Sequence, residues 1–595
     1  METSIGTQID TDLLVVGAGA GGLSTAITAA KHGLKVVVIE KARVFGGTAA
    51  FSGGVLWVPG NSVSARAGAK DSKAAALDYL VNETGSHFDE DGVSAFLDKG
   101  PEMIDFFERE TSVKFLPTLY PDYHPDVGGG VDVGRSILAA PFDIRELGSD
   151  MKRLRPPLKT ITFIGMMFNS SNADLKHFFN VTKSLTSFIY VAKRLVSHVK
   201  ELILYRRGTQ VTSGNALAAR LAKSALDLDI PIYTDTPASG LIIESGRVVG
   251  VKTNSGRQIV ASKGVVLACG GFSHDLERLR QAYPHVKRGG EHFSPVPEGN
   301  TGDGARLAEG VGGKVDIRLA AAAAWMPVSK VPMGHGKFTA FPHLLDRYKP
   351  GIIGVLRNGK RFTNESNSYH DVGAAMIAAC KDENETAAWL ICDQATIAKY
   401  GLGYAKPAPM PLGKLLRNGY LKKGDSLEDL ANAAGIDAAG LEETVRIFNA
   451  SAKDGKDPEF GRGGTTFNRY LADPSQQPNP CVAPILKAPF YALKLVMGDL
   501  GTFDGLSTSV TGEVLNDAGQ PIPGLYAAGN DRASIMGGNY PAAGITLGPI
   551  MTFGYITGLH AAGLVRTSDF EKQPALVQAW LDPIPVREKV EVGHA

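Results

Sequence analysis

Short apolar runs closed by glycine recur along the chain. Leu13-Leu-Val-Val16 breaks into Gly17-Ala-Gly19-Ala20-Gly21-Gly22, and a second apolar run, Val36-Val-Val-Ile39, ends at Glu40. Runs of that length bounded by turn residues predict buried strands, and the stretch between them predicts a helix. Lys263-Gly-Val-Val-Leu-Ala-Cys269-Gly270-Gly271 predicts another buried strand, Pro231 to Val251 predicts strands that extend the same sheet, and Pro523-Gly-Leu-Tyr526-Ala-Ala-Gly529-Asn530 predicts one more strand and glycine turn. Residues 72–110 and Asn215 to Leu226 read as helices, and sheet-forming character returns at Phe490. Within 150–207, Phe178, Val181, Leu185, Phe188, Ala192, Leu195, Val199 and Leu202 recur at helical spacing. Lys176, Lys183, Lys193, Arg194, Lys200, Arg206 and Arg207 decorate the remainder of that segment. It is either a helix packed on its own domain or a basic amphipathic segment, about 174–207, lying on an anionic membrane surface.

The first unit has the GxGxxG spacing at Gly17, Gly19 and Gly22, with Glu40 about twenty residues on. Gly17 allows the tight turn, Gly19 lets backbone N–H groups approach a pyrophosphate, and Gly22 lets the helix pack on the strand. Ala20 and Gly21 complete the turn, and Glu40 is placed to accept from a ribose diol. A second small-residue loop follows, from Lys41 through Gly46, Gly47 and Thr48 to Ser52, Gly53 and Gly54. A long dinucleotide must run past bare backbone to reach its reactive ring, so this loop favours FAD over NAD. Gly270, Ala238, Gly529 and Asn530 belong to the later strands and turns of the same site, while Cys269 reads as a small core residue. Asp303, in Asn300-Thr-Gly-Asp-Gly304, is a partner for flavin or ribose hydroxyls, or else an Asx turn capping a helix.

The chain's 595 residues exceed what one core serves. The division expected is a FAD-binding domain in two parts, 1–324 and 491–566, with the 150–207 insertion, a cap domain at 325–490 and a polar tail at 567–595. The fold class is α/β, a Rossmann-like FAD-binding domain with an inserted α+β catalytic domain. A net charge of +1 argues against nucleic acid as a partner. Four cysteines, Cys269, Cys380, Cys392 and Cys481, form no metal or redox motif, so neither a metal site nor a disulfide is expected. The N-terminal METSIGTQIDTD has no basic segment and no apolar core of a signal peptide. A cytoplasmic location is expected, membrane-associated if the basic segment docks.

The ordered set GAGAGG, GGT…SGG, TGDG, NGKRFTNE and IPGLYAAGN resembles the fumarate reductase and succinate dehydrogenase flavoprotein superfamily. The segment after Glu40 has no histidine for covalent flavin attachment, so the FAD is expected to be non-covalent. The arginine and histidines with which fumarate reductases hold a dicarboxylate are absent from Gly538 to Gly544 and from Val496 to Gly501, which disfavours fumarate or succinate. Those departures resemble 3-ketosteroid dehydrogenases, especially the Δ1 enzymes, through Met497-Gly-Asp-Leu-Gly-Thr502, Tyr540 with Gly544, and Tyr369 after Asn364-Glu365. A further family tyrosine falls in Tyr120-Pro-Asp-Tyr123-His-Pro-Asp126, with Tyr123 the choice and Tyr120 the reserve.

The resemblance implies desaturation of a cyclic ketone, a 3-ketosteroid at C1–C2, with a quinone or another carrier as electron acceptor. Tyr540 and the Gly544 N–H would bind the carbonyl oxygen, and Tyr369 would take the α proton, its pKa lowered by a hydrogen bond from Tyr123 or by a positive local field. Thr546 and Leu547 open a helix whose N-terminus would face the reduced flavin. Competing readings are a small ring ketone such as cyclohexanone, Δ4 regiochemistry, an enone reductase, or a flavin-bearing electron-transfer subunit.

Overall fold

The computed structural model describes residues 8–162, 165–167, 177 and 184–570. Lys176, Phe178, Val181, Lys183 and the tail from 571 lie outside the described residues.

Strand Ile9–Val16 is the centre of an eight-stranded sheet. It runs parallel to Val36–Ile39 on one side, with Leu13 beside Val36, and parallel to Gln258–Leu267 on the other, with Val16 beside Leu267. Ile232–Tyr233 continues the sheet beyond Val36–Ile39, and Pro521–Ala527 pairs in parallel with Gln258–Leu267. An antiparallel pair, Ala238–Glu244 and Arg247–Thr253, attaches to Gln258–Leu267. Leu13, Leu14 and Val15 are fully buried because the sheet is covered on both faces, as parallel strands require. Helices Ala20–Lys31 and Leu547–Ala561 pack against each other there; a Cβ at Gly558 would lie 2.7 Å from Thr28 Cβ, so glycine sets the approach. The glycine turn and the strands read from 231–251 are thus in the sheet that the sequence predicts.

A second, six-stranded sheet is antiparallel, ordered Lys337–Pro342, Ala323–Gly334, Phe490–Thr502, Ala387–Asp393 and Ile352–Val355, with Lys422–Gly424 also on Phe490–Thr502. Alternate residues enter different clusters: Leu390 and Cys392 one, Trp389 and Ile391 the other. Phe490–Thr502 is the hub of this sheet. The return to the nucleotide sheet therefore falls after Thr502, later than the expected boundary at 491.

The predicted helix in the insertion forms at Leu185–Tyr205. Its inward residues are Ser187, Val191 and His198, whereas Leu185, Phe188 and Val199, on the predicted apolar stripe, are exposed at 75%, 56% and 52%. Helical spacing identified the stripe without identifying its partner. Among the described residues no helix is long and apolar enough to cross a membrane.

Candidate active site

A single cavity of about 2090 Å³ runs from the first glycine turn to the interface between the two sheets. At its start Gly17 has φ +117°, and a Cβ there would lie 2.1 Å from the Ala268 carbonyl oxygen. Only glycine fits that turn. Glu40 is held at the strand end by the N–H groups of Ala18 and Ala42, which donate to its carboxylate at 3.0 and 2.8 Å. Gly17, Gly19, Ala20, Gly21, Glu40 and Lys41 line this end. Gly47, Thr48, Ser52, Gly53, Gly54 and Ala238 continue the wall, followed by Gly270, Asp303, Gly529, Asn530, Gly544, Thr546 and Leu547. Two expected cofactor residues do not reach the cavity. A Cβ at Gly22 would sit 2.0 Å from Gly17 O, and one at Gly46 3.2 Å from the Ala50 and Ala218 methyls, so both serve packing.

The bare-backbone path along Gly17, Gly19 and Gly47, with a carboxylate at the strand end, fits a bound dinucleotide, and side chains would fill it. Asp303 forms a short ion pair with Lys41 and another with Arg306, so Lys41, Thr301 and Asp303 are one hydrogen-bonded group beside the path. Cys269 lines the cavity and, as expected of a small core residue, packs against the cluster of Leu14, Val265 and Leu267; burial and then Asp531 push its thiol well above the usual range.

At the far end three tyrosines converge from three parts of the chain. The Tyr369 and Tyr540 rings are edge-on at 5.0 Å between centroids, Tyr123 and Tyr540 stack at 5.6 Å, and Tyr123 meets Tyr369 edge-on at 6.0 Å. Tyr120, the reserve, also lines the cavity but packs on Tyr470 at 4.7 Å. Tyr369 opens helix Tyr369–Ala379, capped by Ser368, whose Oγ accepts from the Asp371 N–H. The NGKRFTNE motif fixes that helix start: buried Arg361 donates to Glu365 and Asp457, and Arg347 donates to the Glu365 carbonyl.

The Tyr123 loop is held against the segment that follows Tyr540. Tyr123 N–H and Tyr79 Oη both donate to Pro541 O, at 2.7 and 2.6 Å. Asp122 accepts from Trp57 Nε1 and from buried Arg135, both at 2.8 Å. Gly544, φ +98°, accepts the Trp57 N–H through its carbonyl, and a Cβ on it would lie 2.6 Å from Leu56 C. The closeness of this strand is what requires glycine at 544. The Gly544 N–H donates to no acceptor among the described residues.

Burial raises all three hydroxyls. Tyr369 is raised further by its neighbours Tyr123 and Tyr540, whereas contact with Tyr369 lowers theirs. The expected lowering of the Tyr369 pKa by Tyr123 is therefore absent in the protein by itself.

Several neighbours escaped the sequence reading. Phe467 lies 4.4 Å from the Tyr123 ring and 5.8 Å from Tyr348, whose hydroxyl burial pushes up to about 12. His124 bridges Glu83 and Asp371, at 2.9 and 3.0 Å. Burial alone would lower its pKa, but the hydrogen bonds it donates to Asp371 and Glu83 outweigh it and lift it to about 10. The histidine in PDYHPD was visible in the sequence, but its two carboxylate partners lie on separate helices.

The chain matches the family described as FAD binding domain over residues 12–547. It is 43% identical to 4-oxocyclohex-2-ene-1-carboxylate 5-dehydrogenase of Sinomonas cyclohexanicum, over 94% of this chain and 95% of that protein. It is 36% identical to 3-oxosteroid 1-dehydrogenase of Mycobacterium tuberculosis, over 93% and 98% respectively. Its fold matches the crystal structure of 3-ketosteroid delta1-dehydrogenase from Sterolibacterium denitrificans in complex with 1,4-androstadiene-3,17-dione with a TM-score of 0.84 at 35% identity, covering 93% of this chain and 99% of the other. The chain therefore belongs to the FAD binding domain family, as an FAD-dependent oxidoreductase like the 3-oxosteroid 1-dehydrogenases.

Proposed function

We propose that this protein desaturates a cyclic ketone between its α and β carbons, with a 3-ketosteroid at C1–C2 as the leading substrate. The observation that carries this reading is the convergence of Tyr123, Tyr369 and Tyr540 at the end of the cavity that begins at Gly17. FAD, when bound, supplies the acceptor for the β hydrogen, which leaves the substrate as hydride. Tyr540 Oη and the Gly544 N–H donate to the carbonyl oxygen and stabilise the enolate as it forms. Tyr369 takes the α proton, with Tyr123 beside it as the neighbouring hydroxyl. Collapse of the enolate with loss of the hydride leaves the enone.

A Tyr369 hydroxyl raised by burial makes a poor base at neutral pH, so the reading requires an alkaline rise in rate. Helix Leu547–Ala561 starts on the cavity wall, and its N-terminus favours negative charge there. The electron acceptor we infer is a quinone or a similar carrier. Residues 325–490 with strand Phe490–Thr502 form the cap over the cofactor in this reading.

A small ring ketone is the second substrate reading, favoured by the 43% identical relative named for a ring ketone. The membrane contact is also kept as a reading. Leu185, Ile203 and Leu204 are exposed at 75%, 73% and 71% on a helix that also exposes Lys193 and Lys200, a combination suited to an anionic lipid surface. Co-sedimentation with anionic vesicles, and its loss in an L185S/I203S/L204S variant, tests that contact.

The enzymatic reading is tested by anaerobic bleaching of the flavin with 4-androstene-3,17-dione and with cyclohexanone, followed by product analysis. A 1,4-diene-3-one product supports Δ1 desaturation of a steroid. Bleaching by cyclohexanone alone moves the substrate to small rings. If neither ketone bleaches the flavin, but the reduced flavin is reoxidised by an enone, the protein works as a reductase.

A further inference from the structure

In a planar trans peptide the N–H and the C=O point in opposite directions, so whatever holds one aims the other. The Gly544 N–H shares its peptide with the Ala543 carbonyl, and Ser136 Oγ donates to that carbonyl at 2.8 Å. Ala543 and Gly544 line the cavity, whereas Ser136 is 1% exposed and stands behind them. The carbonyl is thus held on the far side of the wall, which leaves the N–H on the cavity side.

Ser136 is itself rigidly placed. It opens strand Ser136–Ala139, which runs antiparallel to Val55–Trp57 with Ser136 opposite Trp57. Its own carbonyl accepts from Thr118 Oγ1 at 2.7 Å. The next peptide along, beyond Gly544, is held by the same strand pair: Gly544 O accepts from the Trp57 N–H at 3.0 Å and from the Gly548 N–H at 2.9 Å. One peptide flanking Gly544 is therefore fixed by Ser136 and the other by Trp57.

The bond from Ser136 matters because the peptide it holds is one that can turn over. A flip of the Ala543–Gly544 peptide changes chiefly ψ of residue 543 and φ of residue 544, and glycine accepts either sign of φ. The flipped peptide would present a carbonyl to the cavity in place of the N–H, turning a donor into an acceptor that repels a negative oxygen. A hydrogen bond to the carbonyl also polarises the amide and strengthens its N–H as a donor.

We infer that Ser136 is a positioning residue for the oxyanion site: its hydroxyl holds the Ala543–Gly544 peptide with the N–H toward the substrate carbonyl and strengthens that donor. This rests on the reading above in which Tyr540 and Gly544 bind the carbonyl oxygen. Ser136 touches neither substrate nor cofactor; it acts through the peptide.

The test titrates the flavin-loaded enzyme with 4-nitrophenol, a flat six-membered ring whose oxygen becomes an anion, as the ketone oxygen does, and whose two forms differ in colour. Bound to the wild-type enzyme it should ionise at lower pH than in water. Ser136→Ala should raise the apparent pKa of the bound phenol by about half to one unit, a roughly three- to tenfold weaker preference for the anion, which is the range of a neutral hydrogen bond. Ser136→Cys, a weaker donor of similar size, should fall between the two. Thr118→Val deletes a hydroxyl that donates to the same serine's carbonyl and should leave the phenol's pKa at its wild-type value. In single-turnover bleaching by 4-androstene-3,17-dione or cyclohexanone, Ser136→Ala should lower the limiting rate by about the same factor while the half-saturating concentration stays within about twofold. A wild-type site with no preference for the ionised phenol, or a preference that Tyr540→Phe does not weaken, overturns the carbonyl-donor reading and this inference with it. A preference weakened by Tyr540→Phe but by neither Ser136 variant overturns the Ser136 inference alone. Equal shifts in Ser136→Ala and Thr118→Val also overturn it, because loosening of the strand would then account for both.

Discussion

His124 Nε2 and Asp371 Oδ2 lie 3.0 Å apart and join the loop carrying Tyr123 to the helix opened by Tyr369. The other imidazole nitrogen faces Glu83 on helix Lys73–Thr84, so one cation ties two aromatic side chains of the site to a third element. Glu83 and Asp371 are the charged groups in contact with it.

This pairing has a pH signature. The folded pKa of His124 is lifted to about 10, above the ordinary unfolded value near ~6.5. A raised pKa stabilises the fold fully below the unfolded value, and the contribution disappears as pH rises through about 10. His124→Ala should lower Tm at pH 7 and lower kcat by loosening Tyr123 relative to Tyr369. Tm curves of wild type and variant should converge as pH passes about 10; an offset independent of pH would assign His124 a packing role only.

Tyr369→Phe should reduce kcat by about 10²–10⁴-fold while the flavin stays bound, as expected when a proton-transfer group is lost. Because burial and both neighbouring tyrosines raise its hydroxyl, wild-type kcat/KM should keep climbing through pH ~10 without a plateau near neutrality. Stopped-flow bleaching across pH checks this, and the climb should be absent from Tyr369→Phe.

Tyr540 and Gly544 should fail in different ways. Tyr540→Phe removes one carbonyl donor and should cost about 10²–10³ in kcat with little change in Tm. Gly544→Ala adds a Cβ 2.6 Å from Leu56 C at φ +98°, so it should destabilise the fold as well as slow the reaction. Parallel melting curves and single-turnover rates separate the two.

Arg361→Met removes a buried cation that neutralises Glu365 and Asp457, and both acids then remain in the interior. Breaking such a group by deleting one partner costs about 3–5 kcal/mol. The variant should unfold at much lower denaturant concentration, losing the Tyr369 helix start along with the strand Ile352–Val355, since Gly354 donates to Glu365. Chemical denaturation followed by tyrosine and tryptophan fluorescence reads this directly.

What was legible in the sequence was local. Gly17, Gly19 and Glu40 lie within one turn and two strands, so spacing alone located the dinucleotide end. Tyr369 could be picked because it follows the NE pair by four residues, and Tyr540 because Gly544 stands four residues after it. The His124 bridge was hidden because Glu83 and Asp371 are 41 and 247 residues away. For helix Leu185–Tyr205, periodicity marked an apolar stripe, but which positions turn inward depended on distant packing around Val191 and His198. That sheet-forming character returns at Phe490 was legible, but not that the strand pairs with Ala387–Asp393, since an apolar strand does not encode its neighbours.

The parallel pairing of Gln258–Leu267 with Pro521–Ala527 also dictates an order of events during synthesis. The cavity wall needs Gly529, Asn530, Gly544 and Thr546, yet its first glycine turn is made more than five hundred residues earlier. Contacts between such distant segments form late, because the chain between them must first be closed. The N-terminal strands therefore leave the ribosome with an incomplete cofactor cradle, and flavin capture waits for nearly the whole polypeptide. Ribosome-stalled chains ending before 521 should bind no flavin, and chains ending at 570 should bind it.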